Sequence, residues 1–276
     1  MSPIAVILTA LPLEYDAVHP YIEAPEEIVL SDGTRLEKGR LEGTDWTLAL
    51  AELGVGALNT AVLATRIINE LKPRALLFVG VAGGLKDDLR LGDVVVGTKV
   101  YAVQGGKITP EGHQEHPESW HGSHSLVQAA RSALRDLRPG VRGHLKPIAC
   151  GDVVLADQRS DFATRIRRSY NDAYAIEMEG SGASHAAHLS GRLDALVIRG
   201  ISDFADPDKS SADASGSQEL AAGQAAKVAV QILRRQQPGS QEGPKSAGAV
   251  TYAGDHIDFR GGTFHGPVTG KQTGTP

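Results

Sequence analysis

The chain has one cysteine, Cys150, among its 276 residues, so no disulfide can close within it, and a reducing compartment is the expected home. It has no run of like charges, and a net charge of -5 with a pI near 6.1 gives it no basic surface for nucleic acid. No stretch approaches the ~20 apolar residues that a bilayer-spanning helix needs. The apolar stretch nearest the start, Ile4 to Leu8, is too short for a signal peptide and has no basic residue before it. A cytoplasmic protein without membrane or nucleic-acid partners is therefore expected. What is present is 41% hydrophobic and 22% charged residues. That balance suits one α/β domain of about 230 residues followed by a tail.

Two acidic strand ends stand out. Ala195 to Asp206 reads A-L-V-I-R-G-I-S-D-F-A-D, an apolar run followed by Ser202 and Asp203. Little alternation and many β-branched residues are the mark of a strand covered on both faces. Ligands of open α/β sheets bind in the crevice beyond the carboxyl ends of the strands, so an acid there faces a site. Asp203 is either a cap for the next helix or a proton donor. A second cluster, Ala175-Ile176-Glu177-Met178-Glu179-Gly180, ends another predicted strand, Ala173 to Met178, and favours the donor.

Further elements follow the same rhythm. Ile4 to Leu8 is a strand candidate, and Pro12 opens a helix that places Glu14 near its N-terminus, where the helix dipole favours a carboxylate. Ser31 to Gly43 suggests a hairpin or loop. Trp46 to Glu52 reads as a strand, and Gly54-Val55-Gly56 opens a helix to about Leu71. That glycine pattern fails as a dinucleotide fingerprint, because Asn59 stands at its sixth position and no acid ends the next strand, Ala75 to Val81. Gly80-Val81-Ala82-Gly83-Gly84 is either a tight turn or a place where backbone approaches a ligand. Leu91 to Val96 turns into a strand, and Ser125 to Leu137 has helical spacing. Gly105 to His124 is polar and holds His113, His116, His121 and His124. With no cysteine and no ligand spacing, it reads as a surface loop or lid, and no metal is expected. Pro147 to Cys150 is a short strand, Asp161 to Tyr170 a helix, Gly180 to Leu189 a small-residue helix and Gln218 to Arg235 the last one. Strand, loop and helix in repetition predict a single three-layer α/β domain, with a largely parallel mixed sheet flanked by helices.

With Glu14, Gly80 to Gly84, Glu177 to Glu179 and Ser202-Asp203 in this order, the chain resembles the nucleoside phosphorylase superfamily. Within it the likeness is to methylthioadenosine/S-adenosylhomocysteine nucleosidases and to nucleosidase-like domains of signalling proteins. The resemblance spans about residues 3 to 235 and implies cleavage of a purine N-glycosidic bond without a cofactor. It implies that Asp203 protonates the base at N7, and such an acid must be kept protonated by burial or by a proton shared in the complex. Glu179 would accept hydrogen bonds from the ribose 2′- and 3′-hydroxyls and favour the developing sugar cation. Glu14 would activate the attacking water, with Arg199 holding the arrangement. Met178 would pack on the sugar and the Leu155 backbone would meet the adenine edge. Val154, Ala82, Gly83, Ser202, Glu177 and Phe204 complete the implied substrate-binding set, and a homodimer is the implied assembly.

The chain departs from the pattern at two places. The adenine-stacking position, aromatic in bacterial nucleosidases, is Val154 here, so Phe204 or the loop around His116 is the candidate replacement. A phosphorylase needs arginines near the first strand and before the glycine run, where this chain has Leu11-Pro12-Leu13-Glu14 and Leu77-Phe78-Val79. Water is thus the expected nucleophile. The alternatives are a phosphorolytic relative and a non-catalytic nucleotide-binding scaffold. Residues 1–236 are the expected catalytic domain and 237–254 a linker rich in Gln, Pro, Gly, Ser and Lys. Residues 255–272 carry Ile257, Phe259, Phe264 and Val268 in a glycine-rich background and resemble an amyloid-type signalling motif. That likeness implies an effector joined to a nucleotide-binding receptor with a similar motif; an unstructured terminus is the alternative.

Overall fold

The computed structural model describes residues 2–110, 112–155, 157, 159–191, 193–204 and 216–236. The expected linker and terminal motif lie outside the described residues. Among the described residues, no helix is long and apolar enough to cross a membrane.

The centre is a mixed sheet built on β1 (Ile4–Thr9), β4 (Thr47–Glu52), β5 (Ala75–Gly84) and β12 (Asp194–Asp203), which run parallel in the order β12-β5-β1-β4. Beyond β4 lie β3 (Arg35–Leu41) and β2 (Ile22–Val29), both antiparallel to their neighbours. Beyond β12, β6 (Val94–Ala102) runs antiparallel to it, followed by β10 (Gly143–Cys150) and β11 (Ala175–Glu177) parallel to β6. β11 then returns to β5, pairing Ala175 with Gly84 and Ile176 with Gly83. Five strands thereby close into a ring, β5-β12-β6-β10-β11.

Apolar residues alternate to two cores because successive side chains leave opposite faces. Ala5, Ile7, Leu77 and Ile198 join one core, and Val6, Leu8, Phe78 and Val197 the other. The first is covered by α1 (Pro12–Val18), α3 (His124–Asp136) and α6 (Ser217–Arg235). The second is covered by α2 (Ala57–Leu71) and α5 (Gly180–Leu189), which complete three layers. α4 (Asp161–Ser169) packs Ala163 and Ile166 with Ala149, Leu155 and Ile176 in a smaller cluster.

Of the hairpin or loop expected at Ser31 to Gly43, the structure forms the hairpin, with β3 as its second arm against β2. At two other places the structure departs from the sequence reading. Gly80 to Gly84 is strand rather than turn, because β5 runs on to meet β11. The polar stretch 105–124 is not one loop: β7 (Gly106–Thr109) and β8 (Gly112–Glu115) form a hairpin, and β9 (Glu118–His121) pairs with β6. Glu115 fixes this hairpin to α4, accepting from the Tyr170 hydroxyl at 3.3 Å and lying 3.5 Å from Arg165 Nε. Burial, then the Glu115 charge, push the Tyr170 phenol up to about 12. His113 is held by the same group, at 3.2 Å from Glu115 and 3.4 Å from Arg165.

Candidate active site

Strand ends and helix starts converge on a cavity of about 260 Å³. Ala10 and Leu11 follow β1, Val81, Ala82 and Gly83 lie in β5, Ile176 and Glu177 in β11, and Ser202 and Asp203 end β12. Glu14 on α1, Met178 and Glu179 before α5, Val55 before α2, Val153 to Leu155 after β10, and Gln218 on α6 close the outline.

The cavity floor is a buried cluster of three carboxylates and one guanidinium. Arg199, fully buried on β12, pairs with Glu177 and lies 3.3 Å from Glu179 and 3.8 Å from Glu14. Its guanidinium carbon sits 4.6 Å from the Phe78 ring centre, a cation–π contact made in a dry interior. Burial alone would lower its pKa, but Glu177, Glu179 and Glu14 outweigh that and raise it, so the cation is permanent. Removing Arg199 would leave the buried carboxylates uncompensated.

Each carboxylate is aimed by backbone. Glu14 stands at the third position of α1 and turns back to its start, accepting from Ala10 N at 2.8 Å and Leu11 N at 3.0 Å. Its other oxygen accepts from Val81 N at 2.8 Å, so the carboxylate is clamped between the segment after β1 and β5. Glu177 accepts from Glu179 N at 3.1 Å and Gly180 N at 2.8 Å, at the electropositive start of α5. Glu179 accepts from Gly56 N at 3.1 Å, the residue that opens α2. Gly56 has φ 104°, a left-side conformation that a side chain would disfavour, and this turns its N–H to the acid. Ser202 Oγ donates to Asp203 Oδ2 at 3.1 Å, and Asp203 is buried.

Gly80 contributes by lacking a side chain: a Cβ there would overlap both Arg199 Nη1 and Glu14 Oε1. Gly80 is therefore an opening for side chains from elsewhere in the chain, while Gly83 lines the cavity. Burial pushes Glu179 upward from the ordinary carboxyl range, Arg199 pulls it down, and Glu177 and Glu14 add to the rise.

Of the sequence-derived residues, Glu14, Glu179, Asp203, Met178, Leu155, Val154, Ala82, Gly83, Ser202 and Glu177 all line this one cavity. Arg199 does not line it; it lies beneath, behind the carboxylates. Phe204, just past the end of β12, borders a separate recess with Gly84, Lys86 and Arg167. Neither Phe204 nor His116 is among the described lining residues, and Val154 stands half exposed at the mouth beside Val153. The sequence reading passed over Ala10, Leu11, Val55, Val81, Val153, Ile176 and Gln218 as lining residues. Val55 lay inside the Gly54–Gly56 signal that was set aside with the dinucleotide reading; Gln218 carried no local signal.

A sequence profile of the phosphorylase superfamily matches residues 4–234. The chain belongs to the phosphorylase superfamily. Its fold is shared with the 5′-methylthioadenosine/S-adenosylhomocysteine nucleosidase from Neisseria meningitidis in complex with methylthio-immucillin-A. That likeness has 24% identity and a TM-score of 0.74, covering 84% of this chain and 98% of the other. The S-adenosylhomocysteine nucleosidase from Streptococcus pyogenes, in complex with 5-methylthiotubericidin, is similar at 23% identity and TM-score 0.73, over 84% and 96% of the two chains. The futalosine hydrolase of Helicobacter pylori strain 26695 is similar at 22% identity and TM-score 0.72, over 85% and 98%. At these identities the superfamily likeness is one of fold.

Proposed function

We propose that the protein hydrolyses the N-glycosidic bond of a purine nucleoside, with adenine nucleosides such as methylthioadenosine or S-adenosylhomocysteine as the leading substrates. The observation that carries this reading is the placement of Glu14, Glu179 and Asp203 around one cavity. Asp203 gives a proton to N7, so the base departs neutral. Glu179 accepts hydrogen bonds from the ribose hydroxyls and opposes the charge that grows on the sugar. Glu14 takes a proton from water as its oxygen bonds to C1′, leaving free base and free sugar. Met178 packs on the sugar, and the Leu155 backbone meets the base edge. Among the described lining residues there is no lysine or arginine to hold phosphate, which favours water over phosphorolysis.

The test is incubation with methylthioadenosine, S-adenosylhomocysteine, futalosine, adenosine, inosine and ATP, with and without phosphate, followed by detection of free base. Base release independent of phosphate is expected. Release only with phosphate, together with a sugar 1-phosphate, would transfer the assignment to a phosphorylase; no release from any of them would favour a non-catalytic scaffold.

We also infer a homodimer. Val55 at the cavity edge and Leu58 and Val62 on one side of α2 are exposed apolar residues beside the site, suited to cover by a second copy. Light scattering should give the dimer mass, and a monomer at micromolar concentration would refute it. Residues 255–272 are proposed to join this enzyme to a receptor-type signalling partner.

A further inference from the structure

Among the described residues, Glu14, Glu177 and Glu179 hold more negative charge than the one guanidinium they share. Glu14, Glu177 and Glu179 all face Arg199, and Asp203 opens on the same cavity. Unbalanced buried charge is costly, so the three carboxylates that face Arg199 are best served in the resting site by one bound proton of their own, apart from the proton that Asp203 gives to the base. The hydrogen-bond donors decide where that proton sits, because each donor favours the ionised form of its acceptor. Glu14 receives three backbone N–H groups. Glu177 receives Glu179 N, Gly180 N and the close Arg199 Nη2. Among the described residues, Glu179 receives only Gly56 N on one oxygen and the longer Arg199 contact on the other.

The groups facing Glu179 come from several elements. Glu177 lies on β11, Arg199 on β12, Glu14 on α1, and the Gly56 N–H opens α2, while Asp203 at the end of β12 lines the same cavity. Behind Glu177, on β10, burial and then the Glu177 charge push the Cys150 thiol well up, so it stays neutral and adds no charge. The upward displacement of Glu179 by burial agrees with the donor count.

We propose that Glu179 holds the proton of the resting site, and that a sugar bearing vicinal 2′- and 3′-hydroxyls expels it on binding. The proposal rests on the nucleosidase reading above. A neutral carboxyl must donate from one oxygen, whereas two sugar hydroxyls each need an acceptor, so a bidentate grip requires the carboxylate. In balance, the Glu179 acid and the diol give the hydrogen-bonded carboxylate–diol pair and one proton released to buffer. The diol thereby produces the negative charge that the developing sugar cation will meet. Affinity for a diol ligand should rise about tenfold per pH unit below the folded-state pKa of Glu179 and level off above it.

The test is calorimetry on the full chain in two buffers of different ionisation enthalpy, using a C-nucleoside analogue of adenosine whose carbon–carbon glycosidic bond cannot be hydrolysed. The reference ligand is its 2′,3′-dideoxy counterpart, which carries the same base, so protonation at the base end is common to both and cancels. The diol ligand should release roughly one proton more per site than this reference. Glu179→Gln should abolish that difference, and the wild-type comparison decides alone if the variant does not fold. Equal proton counts for diol and reference ligands would overturn the inference and leave the nucleosidase reading standing. Failure of every ligand to bind would overturn both.

Discussion

A single guanidinium organises this site. Arg199 contacts three carboxylates drawn from α1, β11 and the start of α5, so its loss would leave them facing one another in a dry interior. Arg199→Leu should cost about 3–5 kcal/mol of stability, read by urea denaturation, and retention of wild-type stability would contradict the role given to it. Asp203→Asn should keep the fold and lower turnover by about 10²–10⁴ through loss of the general acid, whereas near-normal turnover would remove Asp203 from the mechanism. Glu179 has a folded-state pKa raised above its unfolded value, chiefly by burial. Its contribution to stability is thus fully present below the unfolded pKa and lost as pH rises through the folded one. Glu179→Gln should therefore be more stable than wild type at neutral pH, with the gap closing in acid, as melting temperatures across pH would record. The carboxylates were legible because each follows an apolar run. Their shared cation was not legible from local pattern, since an arginine inside a strand reads as one polar break in a hydrophobic stretch.

Among elements, the buried strands were easy to read and the margins were not. β5 and β12 bury both faces and show as continuous apolar runs, whereas β2, with Glu23, Glu26 and Glu27, and the β7–β8 hairpin lie exposed and look like loop. Their strand character comes from pairing partners distant in sequence, which no local window contains. Small residues in α5 were legible as a close-packing signal, and the structure gives the reason at Gly182, where a Cβ would overlap the Ala57 carbonyl at the start of α2. Gly182→Ala should cost about 1–3 kcal/mol. It should also raise KM more than it lowers kcat, because the same turn of α2 presents Gly56 N to Glu179. A normal melting temperature and KM would show that the two helices can part without harm.

For the whole molecule, the described fold ends where Trp46 Nε1 donates to Leu233 O at 3.0 Å and Gln236 O at 2.9 Å, fastening the end of α6 to the residue before β4. A chain cut after Gln236 should therefore keep the melting temperature and intrinsic base release of the full chain while losing assembly with a signalling partner. Collapse of folding on truncation would show that residues 237–276 belong to the core.

The closed ring of β5, β12, β6, β10 and β11 bears on how the cavity could be altered. Glu177 and Asp203 ride on strands stitched along both edges, so neither can migrate without tearing its neighbours apart. Val153, Val154 and Gln218 sit outside that weave, on a connecting segment and a helix start. A mutant library meant to change which nucleoside is cut should be spent on those three positions, with the acidic floor left alone.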